Sequence, residues 1–104
     1  MTEPFRIQRV QNDASEFAAF RHKNEQFEGR GAIFDLPQDH IFKAGSLTLR
    51  VVAHETAACN QCAFADADLY CETCWCGDSM RKDETAVIFI TDEDLLKLKM
   101  RGEL

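Results

Sequence analysis

The stretch Cys59-Asn60-Gln61-Cys62-Ala63-Phe64-Ala65-Asp66-Ala67-Asp68-Leu69-Tyr70-Cys71-Glu72-Thr73-Cys74-Trp75-Cys76 holds all five cysteines of a 104-residue chain. Two C-x2-C pairs stand eight residues apart, and a further Cys follows two places after the second pair. Two intervening residues let both sulfurs of a tight turn face one ion while nearby backbone N–H groups steady the thiolates. Two such turns supply the four soft ligands that tetrahedral zinc prefers. Zinc is redox-inert and binds thiolates tightly, which suits a structural site. The spacing therefore predicts a zinc site of Cys59, Cys62, Cys71 and Cys74, with Cys76 as an alternate fourth ligand. Other chemistries use the same atoms. An iron-sulfur cluster also takes four thiolates, though the common ferredoxin spacings are not present. Disulfides, reduced partly buried thiols, and redox catalysis at Cys71 and Cys74 remain as alternatives. Against redox catalysis, both prolines, Pro4 and Pro37, precede Cys71, and Glu72 would raise a neighbouring thiol's pKa. His54 and His40 are further candidate ligands, read more simply as ordinary side chains.

A metal staple answers a need. Hydrophobic residues make up 45% of the chain, but Ala and Cys take a large share of them, leaving a modest core. Small domains bury a lower fraction of their surface and often recruit a metal or disulfides. A charged fraction of 29% and a net charge of -6 exclude collagen-like, low-complexity and membrane-spanning chains. The start MTEPFRIQRV has no apolar run of signal-peptide length, so a cytoplasmic location is expected, where closely spaced cysteines more often hold metal than form disulfides.

Outward from the cysteines, the expected fold class is α+β in a single domain, residues 1–104. Asp13, three residues before Glu16, has capping-box spacing and predicts a helix over 14–27, stopped by Gly29, with Phe17, Phe20 and Phe27 on its core face. Residues 31–58 predict short hairpin strands. The best of them is Ser46–Glu55, with Leu47, Leu49 and Val51 on one face and a turn at Lys43–Ser46 before it. Residues 59–76 are the metal-binding segment. The β-branched and aromatic run 86–90 predicts a strand buried on both faces. Thr91, followed by three acids, Leu95, Leu96, Leu98, Met100 and interleaved Lys residues, predicts a helix over 92–101 whose ends match the macrodipole in sign. A small antiparallel sheet with an N-terminal and a short C-terminal helix, stapled by a zinc-ribbon or knuckle-like cysteine cluster, follows.

Residues 59–80 carry Asp66, Asp68, Glu72 and Asp78 and no Lys or Arg. Such a segment repels nucleic-acid phosphates. It predicts a contact surface for a basic partner, made of those four acids with Tyr70 and Trp75, the aromatic residues being either surface anchors or packing over the metal site. Residues Cys59-x-x-Cys62-Ala63-Phe64, Cys71 to Cys76, Arg81-Lys82-Asp83 and Ala86-Val87-Ile88-Phe89-Ile90 resemble small phage- and prophage-encoded proteins of unassigned function. There a strand leads to a CxxCAF-like element, further cysteines, an R-x-D turn and a VIF-type strand. The resemblance spans about 31–90, and residues 1–30 and the terminal helix depart from it. It implies a host-cytoplasm protein with a small metal or knuckle-like site, with Arg81 and Asp83 serving the turn.

The expected function is thus a non-catalytic, zinc-binding interaction module, with a host or cellular protein as partner and no membrane. The alternative is a zinc-ribbon nucleic-acid-binding or transcription-associated factor with a basic patch of Arg81, Lys82, Lys97, Lys99 and Arg101. The second alternative is a C-x2-C thiol oxidoreductase.

Overall fold

A computed structural model describes residues 6–55 and 61–102. Helix α1, Ala14–Lys23, begins where the sequence places it: the Asp13 carboxylate accepts from the Ser15 and Glu16 backbone N–H groups at 2.9 and 3.0 Å. The reciprocal half of a capping box is not made. The Asp13 N–H donates to the Gln11 carbonyl instead, and the Glu16 carboxylate lies against Gly45. The helix also stops short of Phe27. Asn24, almost fully buried, turns its side-chain amide back to the Phe20 carbonyl at 2.9 Å, and the chain continues as a 3-10 turn over Glu25–Phe27. An Asn amide that satisfies a last-turn carbonyl ends a helix without the expected glycine.

Strands β1 (Ile41–Ala44) and β2 (Leu47–Ala53) form a hairpin with Ala44 opposite Leu47. Gly45 takes φ +64° at the first of two loop positions, as a tight hairpin turn requires. A side chain there would fall on the Glu16 carboxylate. Phe42, Ala44, Leu49 and Val51 face inward by the period of two. The hairpin strands expected over 31–58 begin only at Ile41: Arg30–Ala32 is a 3-10 turn, and Phe34 makes only isolated bridges to Glu28 and Cys74. The hydrophobic run at Phe34 is short, and Phe34 is wholly buried without a sheet to join.

Strand β3 (Val87–Ile90) lies antiparallel to β2, completing a three-stranded sheet in the order β1-β2-β3. All four of its side chains are buried. Its outer side is covered by irregular backbone: the Ala63 N–H donates to the Phe89 carbonyl at 2.7 Å, and the Val87 N–H to the Cys76 carbonyl at 2.9 Å. Helix α2 is a single turn, Asp68–Cys71, and α3 runs Asp92–Met100. Thr91 caps α3 by accepting from the Asp94 N–H at 3.1 Å. The buried Asp94 carboxylate accepts from the Gln8 N–H at 2.8 Å, fastening the early chain to this helix.

The fold is α+β, a small antiparallel sheet with helices. Its core is aromatic. Phe20 lies 5.2 to 5.5 Å, centroid to centroid, from Phe34, Phe42 and Tyr70. Phe64 stacks on Tyr70 at 5.0 Å and meets Phe89 at 4.8 Å. Rings at these separations add attraction beyond their buried area. Among the described residues no helix is long and apolar enough to cross a membrane.

Candidate functional site

The strip that covers β3 carries the cysteines. Cys62 precedes Ala63 at the Phe89 carbonyl, and Cys76 supplies the carbonyl at Val87. Cys71 ends α2 and is exposed. Cys74 follows a turn closed by its N–H donating to the Tyr70 carbonyl at 3.0 Å. Beside it, the Phe34 N–H donates to the Thr73 carbonyl and the Trp75 N–H to the Phe34 carbonyl, at 2.7 and 3.0 Å, which draws Cys74 into the core. Burial pushes the Cys62 thiol up to about 11, the backbone N–H groups of Phe64 and Phe89 pull the other way, and Cys76 and Cys71 add to the rise. Burial likewise raises Cys74, which also feels Cys62, Cys71 and Cys76.

No disulfide joins any two of Cys62, Cys71, Cys74 and Cys76. Among the described residues no group of three or more His, Cys, Asp or Glu side chains is placed to hold a metal ion. Cys59, the first member of the expected ligand set, lies outside the described residues. The donor chemistry suits a soft divalent ion. It suits a thiol nucleophile less well, because Cys62 and Cys74 are buried thiols that burial keeps protonated. Cys71 also closes a helical turn rather than opening a helix, the reverse of the arrangement that activates a thiol.

The histidines are occupied by packing. His40 Nε2 meets Asn24 Oδ1 at 3.0 Å, and its ring lies 4.7 Å from Phe27 and 5.8 Å from Phe42. Since the Asn24 amide nitrogen is spent on Phe20, its oxygen accepts and His40 Nε2 donates. Burial lowers the His40 pKa. His54 Nε2 meets Gln61 Oε1 at 2.8 Å.

Asp66, Asp68, Glu72 and Asp78 are all exposed. Asp66 pairs with Arg9 at 3.0 Å. Tyr70 does not belong to their surface. Its side chain is fully buried against Phe64, Phe20 and Phe17, because α2 turns that ring inward where the aromatic core closes. Trp75 is half-buried.

The expected basic patch loses Arg81. Its side chain is completely buried and forks onto Asp83, with Nε to Oδ1 at 3.1 Å and Nη2 to Oδ2 at 2.8 Å. It also donates to the Trp75 carbonyl at 3.3 Å and lies 3.7 Å from Asp35. The hydrogen bonds from Arg81 hold the Asp83 carboxyl well below the usual range. A buried guanidinium with two carboxylates ties segments that are distant in sequence, a role that the R-x-D spacing signals only as a turn. Lys97 pairs with Glu93 at 3.1 Å. No protein family, no curated protein and no solved structure matches this chain.

Proposed function

We propose that this protein is a non-catalytic interaction module in which the cysteine segment, stapled by zinc, holds an acidic surface toward a basic protein partner. The carrying observation is that the strip covering the outer side of β3 carries Cys62 and Cys76, with Cys71 and the buried Cys74 between them in sequence, at the end of α2 and in the turn that follows it. Cys59, three residues before its C-x2-C partner Cys62, completes the set by sequence spacing. Zinc would displace the thiol protons that burial otherwise retains. Asp66, Asp68, Glu72 and Asp78 stand exposed on the same segment, so a staple there would order the acidic surface as well. The likeness to small phage-encoded proteins is a reason to look for the partner among host proteins. The burial of Arg81 speaks against the nucleic-acid reading, and the raised thiols speak against the redox one.

Metal analysis by mass spectrometry of natively purified protein tests the staple. About one zinc per chain is expected, reduced sharply by Cys62→Ser or Cys71→Ser, with a lower melting temperature after chelation. Metal-free protein whose melting ignores the chelator would refute it. The surface is tested separately by replacing Asp66, Asp68 and Asp78 with Asn and Glu72 with Gln, then titrating a fluorescent oligo-lysine peptide. Affinity should fall at least tenfold, and unchanged affinity would remove that surface from the proposal.

A further inference from the structure

A cleft of about 560 Å³ opens between the turn that follows α1 and the segment 75–82. Its volume falls in the range that accommodates small organic ligands, roughly 300–1,000 Å³. Phe27 and Trp75, both half-buried, supply the apolar part of a mixed lining, and Met80 stands 60% exposed at its edge. A large thioether side chain left this far in water, at the edge of a cleft that an indole also lines, is an unused apolar contact.

The charges around this lining are unbalanced in a specific way. Both carboxylates of the cleft are engaged: Glu28 with Arg21 at 3.4 Å, and Asp35 with the Lys82 backbone N–H at 3.0 Å and with Arg81. The side chains of Arg30 and Lys82, also in the lining, make no ion pair or hydrogen bond within the described residues. In a chain of net charge -6, two unengaged cations beside an exposed apolar lining mark a place where an anion is not repelled locally. The wall of the cleft is braced. The buried Arg81 guanidinium donates to the Trp75 main-chain carbonyl and is itself clamped by Asp83, so the backbone that carries the indole is held before any ligand arrives.

We propose that this cleft binds a small aromatic carboxylate, with the ring between Trp75 and Met80 and the carboxylate reached by Arg30 and Lys82. A flat ring suits an indole face and a thioether. A guanidinium suits a carboxylate through paired N–H donors. The cleft shares Trp75 with the expected acidic contact surface, but the cations that would reach the carboxylate, Arg30 and Lys82, lie outside that surface.

Trp75 is the only tryptophan, so its indole N–H gives a single, assigned resonance. Titration of the full-length protein with 2-naphthoate should move that resonance saturably. The neutral isostere 2-naphthamide, and 2-naphthoate against the Arg30→Gln, Lys82→Gln double variant, should each bind at least tenfold more weakly. Both replaced residues are exposed and make no side-chain contacts that folding needs, so the variant should melt like the parent. Absence of a saturable shift, equal affinity for acid and amide, or an unaffected double variant would each overturn the assignment. A tripeptide ending in an aromatic residue that bound more tightly than 2-naphthoate would overturn the small-molecule occupant in favour of a peptide terminus.

Discussion

Replacing Tyr70 by Phe should make this protein more stable. The Tyr70 ring is fully buried, stacked on Phe64 at 5.0 Å, with Phe20 at 5.3 Å and the edge of Phe17 at 5.1 Å, and Phe keeps all of these contacts. The hydroxyl is another matter, since it is the buried side-chain polar atom with no hydrogen-bond partner among the described residues. Leaving such a group unsatisfied costs about 1–3 kcal/mol. Taking the low end, because the mutation also removes a few dispersion contacts, Tyr70→Phe should gain about 1 kcal/mol. For a chain of this size that is a rise of roughly 4–8 °C in melting temperature. Urea denaturation followed by circular dichroism, with an unchanged slope, reads the gain directly. The sole tyrosine offers a second readout. Burial, and then the charges of Glu16 and Asp13, push its phenol up to about 12 from 10. A folded-state pKa above the unfolded value means that this group's contribution is intact below pH 10 and is lost as pH rises toward 12. The parent should therefore lose stability across that window, with phenolate absorbance appearing on unfolding, and the Phe variant should not. A Phe variant less stable than the parent by 1 kcal/mol or more would mean that the hydroxyl is bonded, and the reasoning would fail.

Two other perturbations test the supporting contacts. Burial lowers His40 below its ordinary 6.5, so the unfolded chain takes up the proton first; stability should be intact above pH 6.5 and decline as pH falls below it. His40→Gln, which can still donate to Asn24, should flatten that part of a melting-temperature-against-pH curve, and an unchanged slope would assign the decline elsewhere. Asp83→Asn removes a carboxylate from a buried guanidinium while Asp35 remains nearby; allowing for the partial exposure of Asp83, the loss should be about 2 kcal/mol in urea denaturation. Because the Asp83 pKa is depressed, the parent's advantage over this variant should be present above about pH 4 and shrink below it. A variant within 0.5 kcal/mol of the parent, on the order of an ordinary surface substitution, would show that Arg81 needs only Asp35.

What was legible in the sequence was what neighbours in the chain decide. The alternation of Leu47, Leu49 and Val51 with the glycine before them specifies a hairpin, and Thr91 with its following acids specifies α3, because cap, turn and period all act within a few residues. The overrun of α1 had a different origin. Asn24 ends the helix only because its amide is buried, with the oxygen met by His40 from beyond the turn. How the aromatic core closes was not legible for the same reason: Phe20 and Phe89 read as buried, but they meet Phe34, Phe42, Phe64 and Tyr70 from other segments, and no local period joins these. That core also lessens the need for a metal to make up for missing apolar mass. The cysteine pairs were visible as spacing, but the depth of Cys74 beside Phe34 depends on backbone contacts across the fold. Arg81 looked like one more surface cation. Asp83, two residues later, hinted otherwise, while Asp35 and the Trp75 carbonyl lie too far along the chain to announce a buried guanidinium.

The backbone along the outer side of β3 has a consequence for how the protein fails. Val87 to Ile90 is an uncharged, β-prone run, the kind of segment that templates growth of intermolecular sheets once its amides and carbonyls are bare. Ala63 and Cys76 act as its gatekeepers, and they belong to the cysteine segment rather than to the sheet. Damage to those cysteines, by oxidation or substitution, should therefore appear first as turbidity and oligomers at temperatures where the hairpin β1-β2 is still intact.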